Sequence, residues 1–93
     1  MSDIQVRHEE TDKQFVIAVD GENAGFAGYS ERDGRRNFNH TVIDPHFRGQ
    51  GLSQPLIQQA LEATHADGLG VIATCSAVVG FVQKNPEFRE YLA

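Results

Sequence analysis

The feature that most constrains this chain is a change of period. From Ile4 to Ile43 apolar side chains alternate with polar ones, whereas from Leu52 to Leu61 they recur every three or four residues. Alternation belongs to a strand, whose successive side chains point to opposite faces, and the longer spacing belongs to one face of a helix. Between the two regimes lies Asp44-Pro45-His46-Phe47-Arg48-Gly49-Gln50-Gly51. The chain must therefore fold as strands, then a bare glycine-containing turn, then a helix.

The alternating half divides further. Ile4, Val6 and His8 read as a first strand, and Phe15, Ile17 and Val19 as a second. Asp20-Gly21-Glu22-Asn23 has hairpin chemistry, "AGFAGYSER" follows as a third strand with room on one face, and Asp33-Gly34 marks another tight turn. "RRNFNHTVI" is the fourth strand, with Phe38, His40 and Val42 expected on one side and Asn39, Thr41 and Ile43 on the other. After the helix, stopped near Gly68, "VIAT" is a short buried strand. Ser76 is expected to cap a helix carrying Val78, Val79, Phe81 and Val82, and Asn85-Pro86 ends it and opens the last turns. The order β-β-β-β-α-β-α-α predicts an α+β fold. An antiparallel four-strand meander is followed by a right-handed β-α-β crossover, with the fifth strand parallel to the fourth.

Composition bounds the function. With 93 residues, 40% of them hydrophobic, the chain reads as one domain without internal boundary. One cysteine excludes an internal disulfide and fits a reducing, cytoplasmic setting. The start "MSDIQVRHEE" lacks the apolar core of a signal peptide, and no apolar run reaches a membrane span, so no membrane partner is expected. A net charge of −5 argues against nucleic-acid binding, which rests on neutralising phosphates. The histidines and the cysteine show no zinc spacing, so no metal is expected.

The turn itself has two readings. A loop leaving a strand and entering a helix points N–H groups outward, and the helix dipole adds partial positive charge, which makes an anion site. Gly49 and Gly51 let backbone approach an anion closely, and Arg48 adds a charge-assisted contact. Equally, glycines before a helix often only make a turn. No Lys-Ser/Thr follows, so this is not a P-loop, and the third glycine of the dinucleotide fingerprint is absent. Pro55 lies in the first helical turn, with either Gly51 before the helix or Ser53 as its N-cap.

Arg48-Gly49-Gln50-Gly51-Leu52-Ser53 resembles the acyl-CoA signature Q/R-x-x-G-x-G/A of the GNAT superfamily of N-acetyltransferases. "FNHTVIDPHFRGQGLSQPL", followed by "CSAVVGFVQKNPEF", is similar to a subfamily of very short, single-domain GNAT-like proteins with a cysteine after strand five. The resemblance implies a GNAT-like acyl-CoA-binding domain over residues 1–93, with acetyl-CoA or coenzyme A as cofactor. Amides around Gly49, Gln50, Gly51 and Ser53 are then expected to bind the pyrophosphate. The pantetheine arm is expected between splayed strands four and five, against Thr41, Val42 and Ile43, with the thioester near Cys75. Ser53 stands where the signature has Gly or Ala. Phe81 is the aromatic on the helix after strand five, where many of these enzymes carry an acidic tyrosine. The two helices that usually follow strand one are replaced by Glu10-Thr11-Asp12-Lys13, which leaves the acceptor site open.

Two residues are candidates for catalysis. Cys75 precedes a helix N-terminus, which lowers a thiol pKa. It can accept an acyl group, react with CoA by disulfide exchange, or be an inert core cysteine. His40 can take a proton from an amine or serve as a hydrogen-bonded strand residue. Arg35 and Arg36 are expected in solvent, His46 in a solvated loop, and His8 and His65 at the surface. Gly80 within a helix costs about 1 kcal/mol relative to alanine, which a close approach or tight packing would explain. The reading is a minimal acyl-CoA-dependent N-acyltransferase acting on an unidentified amine, small molecule or protein lysine. A non-catalytic CoA-binding module and a ligand-free interaction domain are the alternatives. Oligomeric state is not legible.

Overall fold

The computed structural model describes residues 3–93. The strands are β1 (Ile4–Glu9), β2 (Gln14–Val19), β3 (Glu22–Arg32), β4 (Arg35–Ile43) and β5 (Gly70–Ala73). The helices are α1 (Ser53–Ala66) and α2 (Ser76–Lys84), with short 3-10 turns over Pro45–Phe47 and Pro86–Tyr91. The sheet runs in the order β1-β2-β3-β4-β5, antiparallel through β4, with β5 parallel to β4. The fold is the mixed α+β one the order of elements implies. The β2–β3 and β3–β4 hairpins close on two residues each, Asp20-Gly21 and Asp33-Gly34, all at positive φ, so β3 begins at Glu22, two residues earlier than its apolar pattern suggests.

One face of the sheet carries the core. Phe15 and Ile17 of β2, Ala27 and Tyr29 of β3, and Phe38 of β4 pack on Leu56, Ile57, Ala60 and Leu61 of α1 and on Val78, Phe81 and Val82 of α2. Each fully buried side chain of this size contributes about 2 kcal/mol relative to exposure. No helix among the described residues is long and apolar enough to cross a membrane.

Four local expectations need correction. First, β4 carries a bulge. Gly28 pairs with His40 and Tyr29 with Phe38, so Asn39 has no partner on β3. One inserted residue reverses the inside–outside phase beyond it. Phe38 faces the helices, but so then do Thr41 and Ile43, while His40 and Val42 turn to the opposite face. Second, Arg36 is not in solvent. Its side chain is buried between the sheet and the end of α1, donating from Nε to Glu31 (3.0 Å), from Nη1 to Thr64 (3.3 Å) and from Nη2 to Asp67 (3.0 Å). Third, His8 stacks on Phe15 with centroids 4.1 Å apart and places Nε2 2.6 Å from the Tyr29 hydroxyl. Fourth, the helix starts differ. Leu52 is the N-cap of α1, so Pro55 is its third residue, and Cys75 rather than Ser76 is the N-cap of α2. Arg35 and His65 are exposed as expected, His65 with its ring stacked on Tyr91. A Cβ on Gly80 would meet no protein atom within 4 Å, so neither backbone approach nor packing within the chain accounts for that glycine.

Candidate functional site

The site begins where β5 leaves β4. Their pairing runs from Arg35–Gly70 to Phe38–Ala73 and ends there. The amides of Thr74 and Cys75 both converge on the Phe38 carbonyl, at 3.3 and 3.1 Å, which turns the chain into α2. The bulge at Asn39 bends β4 at the same level. From Asn39 to Ile43, β4 is bonded to β3 alone, and its other edge is without a strand among the described residues. Two side-chain contacts bridge the start of this divergence. Thr74 Oγ1 donates to Asn37 Oδ1 at 2.9 Å, and Cys75 Sγ lies 3.5 Å from Thr41 Oγ1 on the helix side. Gly25 of β3 backs the same stretch. A Cβ there would meet the Val42 carbonyl at 2.5 Å, so only glycine allows β3 and β4 to lie this close.

The free edge leads into the turn. Asp44 closes the Pro45–Phe47 turn by accepting from the His46 amide (2.9 Å) and lying 3.1 Å from His46 Nδ1. The backbone amide of His46 holds the Asp44 carboxyl below its ordinary pKa, and the His46 ring adds to this. The His46 side chain is exposed, as expected of a loop residue. Arg48 is exposed, and its own amide is spent on the Pro45 carbonyl at 3.4 Å. Beyond it, the amides of Gly49, Gln50, Gly51, Leu52 and Ser53 have no backbone acceptor among the described residues. The Leu52 cap supplies no side-chain bond either. Gly49 and Gly51 sit at φ +83° and +70°, with nothing within 4 Å of a Cβ at either position. The arrangement is an open run of N–H donors at the positive end of a 14-residue helix.

Cys75 stands across from Thr41 at the head of α2. Burial pushes its thiol pKa up, but the Thr41 side chain and the amides of Ala77 and Val78 hydrogen-bond the sulfur and bring the net below the ordinary 9.0. A thiolate at a helix N-terminus is the expected beneficiary of such donors. His40, by contrast, is exposed on the other face, 5.7 Å from the Phe26 ring. The structure thus brings Thr41 and Cys75 together, and it does not bring His40 and Cys75 onto one face of β4. Thr41, expected to line the pantetheine arm, was assigned by simple alternation to the face away from Phe38, and the contact of its hydroxyl with Cys75 is what sequence reasoning missed. The signal was available in Val42-Ile43, two consecutive apolar residues out of phase with a strictly alternating strand. Phe81 lies in the core against Phe88, with centroids 5.0 Å apart, so its position is occupied by packing.

Because β5 ends at Ala73, the edge of β4 beyond Phe38 lies open between the N-terminus of α2 and the glycine turn that leads into α1. The family profile of GCN5-related N-acetyl-transferases matches residues 14–91. The chain belongs to that family. Its relatives include protein NATD1 of Gallus gallus, 28% identical over 93 residues, which span 96% of this chain and 84% of NATD1. NATD1 of Homo sapiens is 27% identical over 85 residues, 89% of this chain and 75% of its own length. The NMR solution structure of a GCN5-like protein from Staphylococcus aureus shares the fold with TM-score 0.73. It aligns over 100% of this chain and 91% of the other, at 21% identity.

Proposed function

We propose that the chain is a minimal N-acyltransferase, a single acyl-CoA-binding domain working in the cytoplasm. It takes its acyl group, most simply acetyl, from an acyl-CoA and passes it to a primary amine. The observation that carries this reading is the coincidence of two features: β4 loses its β5 partner after Phe38, and the edge so freed runs into five amides without backbone acceptors.

The residues present fit coenzyme A. Gly49, Gln50, Gly51 and Ser53 offer N–H donors to a pyrophosphate, and Arg48 stands exposed beside them with a fixed positive charge. Thr41, Val42 and Ile43 offer a strand edge to an extended amide-bearing arm such as pantetheine. Acetyl-CoA, when bound, supplies an activated thioester. Cys75 Sγ holds either a proton or a nucleophilic thiolate close to Thr41 Oγ1. On the other face of β4, the His40 ring is free to take a proton from an arriving ammonium group.

Calorimetric titration of the chain with CoA, followed by an acetyl-transfer assay over a panel of amines, tests the proposal. Binding near micromolar and turnover that falls in His40→Ala are expected. Mass spectrometry of Cys75 after incubation with acetyl-CoA separates a covalent route from direct attack. Binding without turnover across the panel leaves a CoA-binding module, which the core position of Phe81 favours. No heat at millimolar CoA removes both readings.

A further inference from the structure

The sheet has two open edges, β1 and β5, and both carry apolar side chains in water. The large apolar side chains exposed among the described residues are Ile4 (44%) on β1, Val79 (39%) on α2 beside β5, Leu92 (41%) after the last turn, and Val42. Scattered singly, such residues need no explanation, but the first three gather at the two edges. At the β5 edge, Ala73, Val79, Val82 and Leu92 line an open groove of about 430 Å³ whose one charged side chain is that of Arg89. We infer that the occupant of this groove is a second copy of the chain: β1 of one copy adds to β5 of the next, with Ile4 seated in the groove, so that copies associate head to tail.

Backbone direction decides which residues can pair. The amides of Gly70 and Thr74 donate to the Gly34 and Phe38 carbonyls, on the β4 side. By alternation, Val71 and Ala73 turn their polar groups to the outer edge. The Val71 carbonyl accepts from the Ala93 amide at 2.9 Å, in a parallel bridge between Val71 and Leu92 that goes no further. Ala73 is left as the open position of that edge. On β1, the Asp3 carbonyl accepts from the Asp20 amide at 2.8 Å, on the β2 side, so Ile4 and Val6 face outward. β1 pairs with β2 without a bulge, and its sequence, Ile-Gln-Val-Arg-His-Glu, has neither the Pro nor the Lys that commonly blunt an edge. The side chains match as well. Val6 packs against the core, and Ile4, two residues earlier, shares its face. Ala73 packs against the same core. Strand residues directly opposite each other share a face, so Ile4 set against Ala73 drops its side chain toward Val79 and Val82. Charge fits the same pairing. Arg89 is in no ion pair among the described residues, and neither Glu87 nor Glu90 of its own turn lines the groove. Asp3, next to Ile4, accepts from the neutral Gln5 Nε2 at 3.3 Å, which leaves its charge unbalanced. Pairing two β5 edges would leave Ile4 in water, and pairing two β1 edges would leave the groove empty. A contact between unlike surfaces does not close as a two-fold dimer does. With one free hydrogen-bonding residue on β5 and a net charge of −5 on every copy, the association is weak and grows with concentration.

The test is sedimentation equilibrium on the full chain, on Ile4→Glu, on Val79→Glu and on an equimolar mixture of the two variants. The weight-average mass of the unsubstituted chain is expected to rise about 1.5-fold or more between about 20 µM and about 1 mM. Each variant alone should stay monomeric, because every copy then lacks one of the two surfaces. The mixture should form a one-to-one dimer and nothing larger, because the intact β1 of the Val79→Glu copy meets the intact groove of the Ile4→Glu copy. Leu92→Glu takes the place of Val79→Glu should that variant not fold. An unsubstituted chain that is monomeric at about 1 mM, a folded single variant that associates as the unsubstituted chain does, or a mixture that stays monomeric or grows beyond the dimer overturns the inference.

Discussion

The two ends of β4 treat their polar groups in opposite ways. From Arg35 to Phe38 the strand is bonded on both sides, to β3 and to β5. Arg36 lies there under the Tyr29 ring, 5.0 Å from its centroid, with Glu31, Thr64 and Asp67 bonded to its guanidinium. No buried side-chain nitrogen or oxygen among the described residues lacks a partner. From Asn39 onward the strand is bonded on one side only, and the turn that follows leaves amides open. A group already satisfied inside the protein stabilises the fold, and one left open is available to a ligand. One residue, the bulged Asn39, separates the two conditions. Stability and ligand binding should therefore respond to different substitutions.

Arg36→Met offers the largest test of that separation. It removes the shared partner of Glu31 and Asp67, but both carboxylates are partly exposed (39% and 50%) and can return to water. The loss should then sit at the low end for a broken buried pair, about 3 kcal/mol. For a domain of this size that lowers the melting temperature by about 15 °C. CoA affinity of the remaining folded protein, measured well below the transition, should not change. A folded variant that has lost CoA binding would show that the two ends are coupled. Gly51→Val is the converse test. A β-branched residue at φ +70° is strained by about 1–2 kcal/mol, and the turn must rearrange to relieve it. CoA affinity should fall more than about tenfold, while the melting temperature drops by about 5–10 °C, less than in Arg36→Met. A Gly51→Val protein that binds CoA normally removes the amide run from the site.

The difference between the two ends also marks what the sequence makes legible. Side-chain period and turn chemistry are local, so the strand order, both hairpins, the crossover and the positive-φ glycines of the turn could be read from residue types alone. Cys75 at the head of α2 was legible for the same reason. The bulge was not, because one extra residue alters no composition and leaves only Ile43 out of phase as a trace. With the phase lost, Thr41 and His40 exchanged faces. Arg36 was misplaced for a different reason. Its partners Thr64 and Asp67 lie 28 and 31 residues away, and no local pattern announces a pairing made by the return of a helix.

The surroundings of Arg36, at the paired end of β4, should also carry a pH signature of their own, through His8 of β1. Burial, and then the nearby charge of Arg36, hold the His8 pKa below its ordinary 6.5. The folded state therefore prefers the neutral ring. This contribution to stability is complete above the ordinary value and is lost as pH falls through the lowered one. The melting temperature should be lower at about pH 5 than at about pH 7.5, and part of that difference should vanish in His8→Gln. An unchanged difference in the variant would assign the acid sensitivity to other groups.

The smallest expected effect is the most specific to the open end. Thr41 was placed beside Cys75 only by the bulge, and its hydroxyl, at 3.5 Å, is the first of the groups that lower the thiol pKa against burial. Thr41→Val keeps the shape of the side chain and removes that hydroxyl. Alkylation of the single cysteine by iodoacetamide proceeds through the thiolate, so its rate at a fixed pH near 7.5 reports the thiolate fraction. The rate should fall about two- to fivefold in Thr41→Val, with the midpoint of its pH profile moved upward. Thr41→Ser should restore both. The amides of Ala77, Val78 and Thr41 itself remain in all three proteins, so the residual midpoint reports those backbone donors against burial. If Thr41→Val leaves the profile unmoved, the hydroxyl and the sulfur do not share a proton, and the contact across the gap is packing.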